Sequence, residues 1–168
     1  AIGRLTRQKN FSFLIKNFKE IKKKYPELNL LILGDGEDKS YLKKIIKKLS
    51  LEESVFLKGF QDNVYNYLKN AKCLILPSLY ENPGHVLIEA AASSCPIISS
   101  DCPTGPREIL MNGEAGYLFE VNNSLEFMKS FDDFINLNNR KLMLFNAKKN
   151  SMNYTLSRHF FNLRNIIY

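Results

Sequence analysis

Two glutamates, Glu81 and Glu89, flank a Pro-Gly turn in the middle of the chain. The turn leads into an apolar, alanine-rich segment that is typical of a helix packed in a core. The first N–H groups of a helix lack an internal acceptor and its dipole is positive at that end, so phosphate groups bind there. Carboxylates nearby can accept hydrogen bonds from sugar hydroxyls. The stretch therefore predicts a site for a ligand that carries both phosphate and sugar.

The turn is expected to contribute mainly backbone groups to this site. Gly84 tolerates unusual dihedral angles and lets a ligand approach the main chain closely. His85 acts through its backbone in this interpretation, and a role for its imidazole as a general base is the alternative. The predicted ligand-binding residues of the stretch are Glu81, Asn82, Gly84, His85, Val86, Leu87 and Glu89.

Glu89 lies on the apolar helix itself, between Ile88 and Ala90. The spacing of seven residues between the two glutamates is not decisive, because glutamates occur at that separation by chance. A carboxylate among apolar side chains, however, needs a partner or a ligand. We therefore favour a ligand-binding role for Glu89 over that of a surface glutamate on an exposed stripe.

Two cations near the start of the chain, Arg4 and Lys9, are the second group of candidates. When the bond between an anomeric carbon and a phosphate oxygen breaks, negative charge builds on the phosphate. Fixed cations aimed at that charge stabilise the transition state more than the ground state. The alternative is that both are exposed loop residues. We predict catalytic roles for Arg4, Lys9 and Glu81. Gly3, beside them, is predicted to bind the sugar donor, the ligand that carries the sugar and the phosphate.

Apolar periodicity predicts the elements that must position these residues. Strands alternate with helices, which predicts an α/β fold with a parallel sheet covered on both faces. Six strands, numbered along the chain, fit the doubly wound, Rossmann-like order 3-2-1-4-5-6, followed by C-terminal helices. The predicted strands end at residue 2 and span 28–33, 55–57, 73–76, 96–99 and 116–119. The predicted helices span 10–24, 38–49, 63–70, 85–93, 107–111 and the region from 124 onward, with breaks near 140 and 153.

This topology places the two groups of candidates together. Strands 1 and 4 are neighbours where the winding reverses, and ligands bind beyond their carboxyl ends. The loop carrying Arg4 and Lys9 then meets the Pro-Gly turn. Gly34 and Phe60 follow strands 2 and 3 on the same rim, where Phe60 can border a nucleotide base. The loop 101–108 follows strand 5. It either contacts the donor sugar or only forms a turn, which its prolines and glycine favour.

The bulk composition is that of one globular domain of 168 residues with a net charge of +7. The basic residues are mostly lysines on helix faces, which predicts a solvated surface, with attraction to an anionic membrane as the sharper alternative. No aromatic platform interleaves them, so nucleic acid is not an expected partner. No apolar run approaches the ~18 residues of a membrane span. We expect a cytoplasmic protein, at most peripheral at the membrane.

Several motifs are absent from the sequence. There is no Asp-x-Asp pair to hold a divalent metal against a diphosphate, so neither a metal nor another cofactor is expected. The first strand lacks Gly-x-Gly-x-x-Gly, and there is no Walker loop or nucleophile elbow. The three cysteines, Cys73, Cys95 and Cys102, show no paired or metal-site spacing, which predicts free thiols in a reducing compartment.

Taken in order along the chain, these motifs resemble the carboxy-terminal half of retaining glycosyltransferases of family 4, which have the two-domain GT-B fold. The resemblance covers roughly residues 1–120. It implies that Arg4 and Lys9 hold the diphosphate of a nucleotide sugar, that Glu89 holds the ribose and that Glu81 holds the donor sugar. It also implies catalysis without metal. The motifs that carry it are Gly3-Arg4-Leu5, Gln8-Lys9-Asn10, Gly34-Asp35-Gly36, Pro77-Ser78, Glu81 to Glu89 and Asp101-Cys102-Pro103.

The resemblance further implies what the chain does not contain. The family's amino-terminal domain, which binds the acceptor, has no counterpart in these residues, so we expect a fragment that transfers little sugar alone. The loop 101–108 resembles members that build polysaccharide or lipid-linked glycans, often from UDP-hexoses or UDP-N-acetylhexosamines. Two other hypotheses stay open: a non-catalytic module that uses its basic helices on an anionic surface, and a GT-B enzyme such as a nucleotide-sugar epimerase.

Overall fold

The computed structural model of the chain describes residues 1–137, 139–155, 158 and 164. Strands and helices alternate up to the fifth strand, and two longer helices follow. The strands are β1 (Leu30–Leu33), β2 (Val55–Gly59), β3 (Leu74–Leu76), β4 (Ile97–Ser100) and β5 (Tyr117–Phe119). The helices are α1 (Phe11–Lys24), α2 (Lys39–Lys48), α3 (Tyr65–Asn70), α4 (His85–Ala92), α5 (Pro106–Ile109), α6 (Ser124–Asn136) and α7 (Lys141–Ser151).

The strands form two parallel sheets. β1 pairs with β2 in one sheet, and β4 lies between β3 and β5 in the other. Ile2 makes an isolated parallel bridge to Leu33 on the free side of β1. Because the strands of each sheet pair in parallel, their carboxyl ends lie on one edge of the sheet, and the loops that follow them collect there.

The molecule has two apolar cores. They lie on opposite faces of β3 and β4, because Ile75 and Ile98 belong to the first core and their neighbours Leu74 and Ile97 to the second. The first core packs α1 and α6 onto β1, and its centre is an aromatic cluster in which the rings of Phe119 and Phe127 are 5.1 Å apart. The second core packs the apolar face of α4, including Leu87 and Ala90, against β3 and β4. Ala1 packs against the first core and Ile2 against the second. The start of the chain therefore contacts both cores.

The helices follow the apolar periodicity of the sequence. In α1, residues Phe11, Leu14, Phe18 and Ile21 recur every three or four positions and are all buried. The Asn123 side chain accepts hydrogen bonds from the N–H groups of residues 125 and 126, and α6 begins there. These elements confirm an α/β, Rossmann-like arrangement of parallel strands and covering helices.

The structure differs from the predicted six-stranded sheet at its first strand. Residues 1–2 form the single bridge to Leu33, and the described residues contain five strands in two sheets. A bridge, unlike a strand, requires only one paired residue. The hydrogen bond from the Gly3 N–H to the Leu33 carbonyl holds this one in place. Predicted breaks near 140 and 153 match the ends of α6 and α7. The helical prediction beyond 155 lies outside the described residues, apart from 158 and 164.

All three cysteines are free thiols, and Cys95 and Cys102 are buried. Burial raises the pKa of Cys73 to about 12 and that of Cys95 to about 11. No helix among the described residues is both long enough and apolar enough to cross a membrane.

Candidate functional site

The centre of the candidate site is an ion pair between Lys9 and Glu81. The Lys9 ammonium lies 2.6 and 2.8 Å from the two carboxylate oxygens of Glu81. The side chains are only 16% and 4% exposed, so the pair is largely removed from water. The hydroxyl of Ser78, which is also buried, donates a further hydrogen bond to Glu81. Desolvated charges of this kind persist only with such compensation.

Backbone and amide contacts hold the two loops of this pair together. The Leu79 N–H donates to the Gln8 carbonyl at 2.8 Å, and the Gln8 amide donates to the Tyr80 carbonyl at 2.9 Å. Two residues after Gln8, the Asn10 amide donates to the Pro77 carbonyl at 3.1 Å. The loop before α1 and the loop after β3 are therefore fixed to each other, as the predicted topology requires.

A cleft of about 580 Å³ opens beside the pair. Arg4 and Glu89 both line it, so the structure brings together a cation and an acid that lie far apart in sequence. Gly3 also lines the cleft, and a Cβ placed at Gly3 would lie 3.1 Å from the Lys9 side chain. The stem of Lys9 thus runs past the cleft on its way to Glu81. Of the predicted site residues, those that line the cleft are Gly3, Arg4, Gly34, Phe60 and Glu89.

The cleft has one open, aromatic side. Phe60 is 74% exposed, and Tyr65 at the start of α3 is also exposed. Exposed aromatic rings on the wall of a cleft are suited to stacking against a planar base. The Arg4 side chain is 75% exposed, and among the described residues its one ion pair is with exposed Glu37, at 3.5 Å, so it can turn toward a ligand.

The Pro-Gly turn connects Glu81 to α4. Gly84 has a φ of +90°, in the left-handed region that favours glycine, and precedes the first residue of α4. A Cβ on Gly84 would lie 3.7 Å from the Glu81 side chain, so the turn and the acid are in contact. Asn82, in the same turn, is exposed, and its bond to Pro83 is cis.

Two predicted backbone donors remain at the start of α4. Leu87 is fully buried, and its N–H already donates to the Gly84 carbonyl. The N–H groups of His85 and Val86 lie in the first turn, where a helix has no internal acceptor, and no described side chain caps this end. The His85 side chain is exposed. These two amides are the ones that the turn can offer to an anion.

Glu89 is half-buried, one turn further along α4. Burial raises the pKa of its carboxyl group, and the nearby His85 opposes this shift. No hydrogen bond to the Glu89 carboxylate is formed within the described part of the chain. The acid therefore sits partly desolvated at the wall of the cleft with its oxygens available to a ligand.

The loop 101–108 packs against the Pro-Gly turn from the other side. The Glu81 N–H donates to the Pro103 carbonyl at 3.2 Å. A Cβ at Gly105 would lie 2.0 Å from the Pro83 carbonyl oxygen, so the two loops touch through the main chain. The contact fixes the backbone of the turn. A direct contact of this loop with a donor sugar stays a prediction.

Three residues that were not predicted as site residues also belong to the site. The Ser78 hydroxyl donates to Glu81, and Asp62 and Tyr65 line the cleft together with Arg4. Ser78 lies two residues after β3, and the other two follow β2, so position after a parallel strand was the available signal. Among the described residues, no cluster of three or more histidine, cysteine or acidic side chains is arranged to hold a metal ion.

The chain is similar in sequence to several glycosyltransferases. It is 50% identical over 109 residues to an uncharacterised glycosyltransferase of Methanocaldococcus jannaschii, covering 65% of this chain and 27% of that protein. It is 39% identical over 123 residues to a Campylobacter jejuni 4-alpha-N-acetylgalactosaminyltransferase that acts on N-acetylgalactosamine-N,N'-diacetylbacillosaminyl-diphospho-undecaprenol. That match covers 73% of this chain and 33% of the relative. The chain therefore spans about a third or less of these relatives' length.

Solved glycosyltransferase structures share the fold. The crystal structure of TarM matches with a TM-score of 0.87 and 27% identity, over 98% of this chain and 34% of that one. A Staphylococcus aureus TarM variant solved with fondaparinux, alpha-GlcNAc-glycerol and UDP matches with a TM-score of 0.80 and 29% identity, over 90% of this chain and 30% of that one. The C-terminal domain of a Francisella tularensis group 1 glycosyl transferase shows the same fold, with a TM-score of 0.79 and 23% identity over 92% of this chain and 85% of that domain.

The model of one protein family covers almost the whole chain. That family is described as glycosyl transferases group 1, and the match extends over residues 1–151. It includes both loops of the Lys9–Glu81 pair and every residue of the cleft. On this match, with relatives and folds of the same kind, the chain belongs to the group 1 glycosyl transferases.

Proposed function

We propose that this chain is the donor-binding half of a retaining glycosyltransferase of family 4. The observation that carries the proposal is the juxtaposition of the buried Lys9–Glu81 pair with the cleft lined by Arg4 and Glu89. A nucleoside-diphosphate sugar has three parts to place. The cleft offers aromatic rings for the base, an acid for the ribose and cations for the diphosphate.

The diphosphate lies between Arg4 and the start of α4 in this proposal. Negative charge grows on its terminal oxygen as the bond to the anomeric carbon breaks. Arg4, Lys9 and the N–H groups of His85 and Val86 then interact more strongly with the leaving group than with the intact donor, which accelerates the reaction. Glu81 orients the sugar and holds the Lys9 ammonium in place. Glu89 accepts hydrogen bonds from the ribose hydroxyls.

The remaining features of the reaction follow from the resemblance. Transfer occurs with retention, the leaving phosphate acts as the base, and no metal is required. We propose UDP as the nucleotide, because a structural neighbour at 29% identity was solved with UDP. A hexose or N-acetylhexosamine is moved to a glycan or lipid-linked acceptor, with contacts to the acceptor from a further domain.

We also keep the proposal of one continuous doubly wound sheet. The bridge of Ile2 to Leu33 supports half of its strand order, because it places the start of the chain beside β1, which pairs with β2 on its other side.

The basic surface supports a second role, contact with an anionic membrane. Lys43, Lys44, Lys47 and Lys48 of α2 are all exposed. Juxtaposed lysines near an anionic bilayer contribute about 1 kcal/mol each. This surface does not include the cleft, so peripheral binding is compatible with sugar transfer. Co-sedimentation with phosphatidylserine vesicles at increasing salt tests it, and binding that does not weaken with salt would argue against it.

Isothermal titration of the chain with UDP tests the donor site. We expect binding by the wild type, and roughly 10- to 100-fold weaker binding by Arg4→Ala, because hydrogen bonds to charged groups contribute about 1.5–3 kcal/mol. Lys44→Ala is the matched control, since it removes an exposed cation outside the cleft. Equal affinities of wild type and Arg4→Ala would contradict the role of Arg4, and no heat with UDP, GDP or ADP would contradict the donor site.

A further inference from the structure

A second cavity, of about 340 Å³, lies on the other side of the loop that carries Lys9. It shares no lining residue with the cleft. It is nevertheless close to the Lys9–Glu81 pair, because Asn10 follows Lys9 directly and Leu79 lies in the loop that leads to Glu81. The other lining residues come from the loop before α1, from the starts of α1 and α2, and from the turn after β5. These residues are Thr6, Arg7, Phe11, Ser12, Asp38, Tyr41 and Asn122.

Several polar groups around this cavity are not satisfied by the protein. The Thr6 hydroxyl oxygen is buried and has no hydrogen-bond partner in the described part of the chain. No described side chain caps the start of α1, where the first N–H groups lack an internal acceptor. The Asn10 amide donates to the Asn122 carbonyl oxygen at 2.9 Å, which leaves the Asn122 amide group as a donor. Because the Thr6 oxygen is closed to solvent, the groups available to a ligand are the first N–H groups of α1 and the Asn122 amide.

The charges of the lining favour hydroxyl groups over an anion. Arg7 donates hydrogen bonds and Asp38 accepts them, and a phosphate close to Arg7 would also face the half-buried Asp38 carboxylate. Asparagine amides donate and accept together, as vicinal hydroxyls do. Tyr41, which is 50% exposed, supplies an aromatic wall. The volume is at the small end of the range for ligand sites, which suits a single sugar ring better than a nucleotide.

From this arrangement we infer that the cavity between the starts of α1 and α2 binds a sugar ring of the acceptor glycan. The inference rests on the proposed function, since an acceptor exists only if the chain serves sugar transfer. It assigns to this half of the enzyme a carbohydrate subsite separate from the donor cleft. The ring held there lies one sugar or more from the reacting hydroxyl, and its contacts fix the acceptor relative to Glu81.

Nuclear magnetic resonance titration of the ¹⁵N-labelled chain tests this assignment. The probes are the methyl α-glycosides of glucose, N-acetylglucosamine and N-acetylgalactosamine at tens of millimolar, and UDP is titrated in parallel. We expect at least one glycoside to shift the signals of Ser12 and Asn122, also in the presence of UDP. We expect UDP to shift Gly3 and Gly34 instead.

Two substitutions sharpen the test. Asp38→Asn keeps the size of the side chain and should weaken glycoside binding roughly tenfold, because it replaces a charged acceptor. Tyr41→Ala should also weaken it, whereas Phe145→Ala, which removes an exposed ring on α7, should not. UDP affinity should be unchanged in all three variants.

Each contrary result is distinguishable. UDP binding without any glycoside shift at the cavity would overturn the inference and leave the donor site intact. Glycoside shifts at Gly3 and Gly34 that UDP abolishes would show donor-sugar binding and overturn it as well. Shifts of Ser12 by inorganic phosphate but by no glycoside would identify an anion site instead. Absence of UDP binding would refute the proposed function, and with it the acceptor role of the cavity.

Discussion

The ammonium of Lys9 is bonded to both carboxylate oxygens of Glu81, although the two residues are 72 positions apart. The pair connects the loop before α1 with the loop after β3, at the edge where parallel strands end. Both side chains are largely buried, and Ser78 completes the carboxylate's hydrogen bonds. The pair beside the cleft is therefore held in place before any ligand binds.

Breaking this pair from one side should be costly. We expect Glu81→Gln to lower the free energy of unfolding by about 3 kcal/mol, because it leaves the Lys9 charge desolvated without an anion. Urea unfolding of Glu81→Gln, Lys9→Met and the double variant measures the coupling. The double variant should be more stable than the sum of the single effects predicts. Strictly additive losses would show that the two side chains do not interact.

The hydrogen bond from Ser78 should contribute less than the ion pair. We expect Ser78→Ala to cost about 1.5–3 kcal/mol of unfolding free energy, the usual range for a hydrogen bond to a charged group. Thermal and urea unfolding measure the loss. Ser130→Ala is the control, since its buried hydroxyl donates to a neutral carbonyl at 3.3 Å. An equal effect of both substitutions would contradict a charge-assisted bond at Ser78.

Close main-chain contact explains the glycine at the end of β1. A Cβ at Gly34 would lie 1.9 Å from the Gly3 carbonyl oxygen, at a φ of +139°. Gly34→Ala should therefore destabilise the chain by about 2–4 kcal/mol and weaken UDP binding, because the loop with Arg4 must move.

Gly113→Ala is the matched control for this substitution. It also has a positive φ, +103°, but a Cβ there meets no atom within 4 Å. We expect it to cost about 1–2 kcal/mol and to leave UDP affinity unchanged. If both alanine variants lost the same stability and neither lost affinity for UDP, the contact with Gly3 would not matter.

We expect Glu89 to lower the stability of the folded chain at neutral pH and to contribute to UDP binding. Burial raises the pKa of its carboxyl group in the folded chain, so the folded state prefers the protonated acid. Protonation of Glu89 therefore stabilises the folded state. This stabilisation is complete below the ordinary pKa of 4.5 and is lost as pH rises through the raised pKa. Glu89→Gln should therefore raise the melting temperature at neutral pH and weaken UDP binding.

The pH dependence separates this cause from others. The stability advantage of Glu89→Gln should shrink as pH falls through the raised pKa of Glu89 and should be absent below about 4.5, because both proteins then carry a neutral group at position 89. Melting curves between pH 3.5 and pH 7 measure this. Glu114→Gln, at an acid away from the cleft, serves as the control. A constant advantage at every pH would rule out desolvation of Glu89 as its origin.

Much of the fold was predictable because its signals are local. The periodicity of α1 and the short apolar runs of β3 and β4 can be recognised within a few residues, and the boundaries agree closely. Local patterns did not predict correctly what the first residues of the chain form. Whether Ile2 extends a sheet or makes a single bridge depends on the side of β1 that it meets, which no local pattern contains.

The sequence predicted which residues form the candidate site better than it predicted which of them bind each other. Position after parallel strands indicated that Arg4, Gly34, Phe60 and Glu89 would converge, and they line one cleft. The sequence assigned Lys9 to the diphosphate and Glu81 to the sugar, without indicating that the two side chains bind each other. Pairing over 72 positions depends on tertiary geometry. Whether these residues act on a donor remains a prediction.

The hydrogen bonds between the loop before α1 and the loop after β3 join loops that belong to different sheets, β1–β2 and β3–β5. A molecule with only one of these sheets folded would lack either the cation or the acid, so it would have no complete pocket. Ligand binding therefore requires both sheets to be in place, and a bound ligand in turn stabilises the chain against local opening of either sheet.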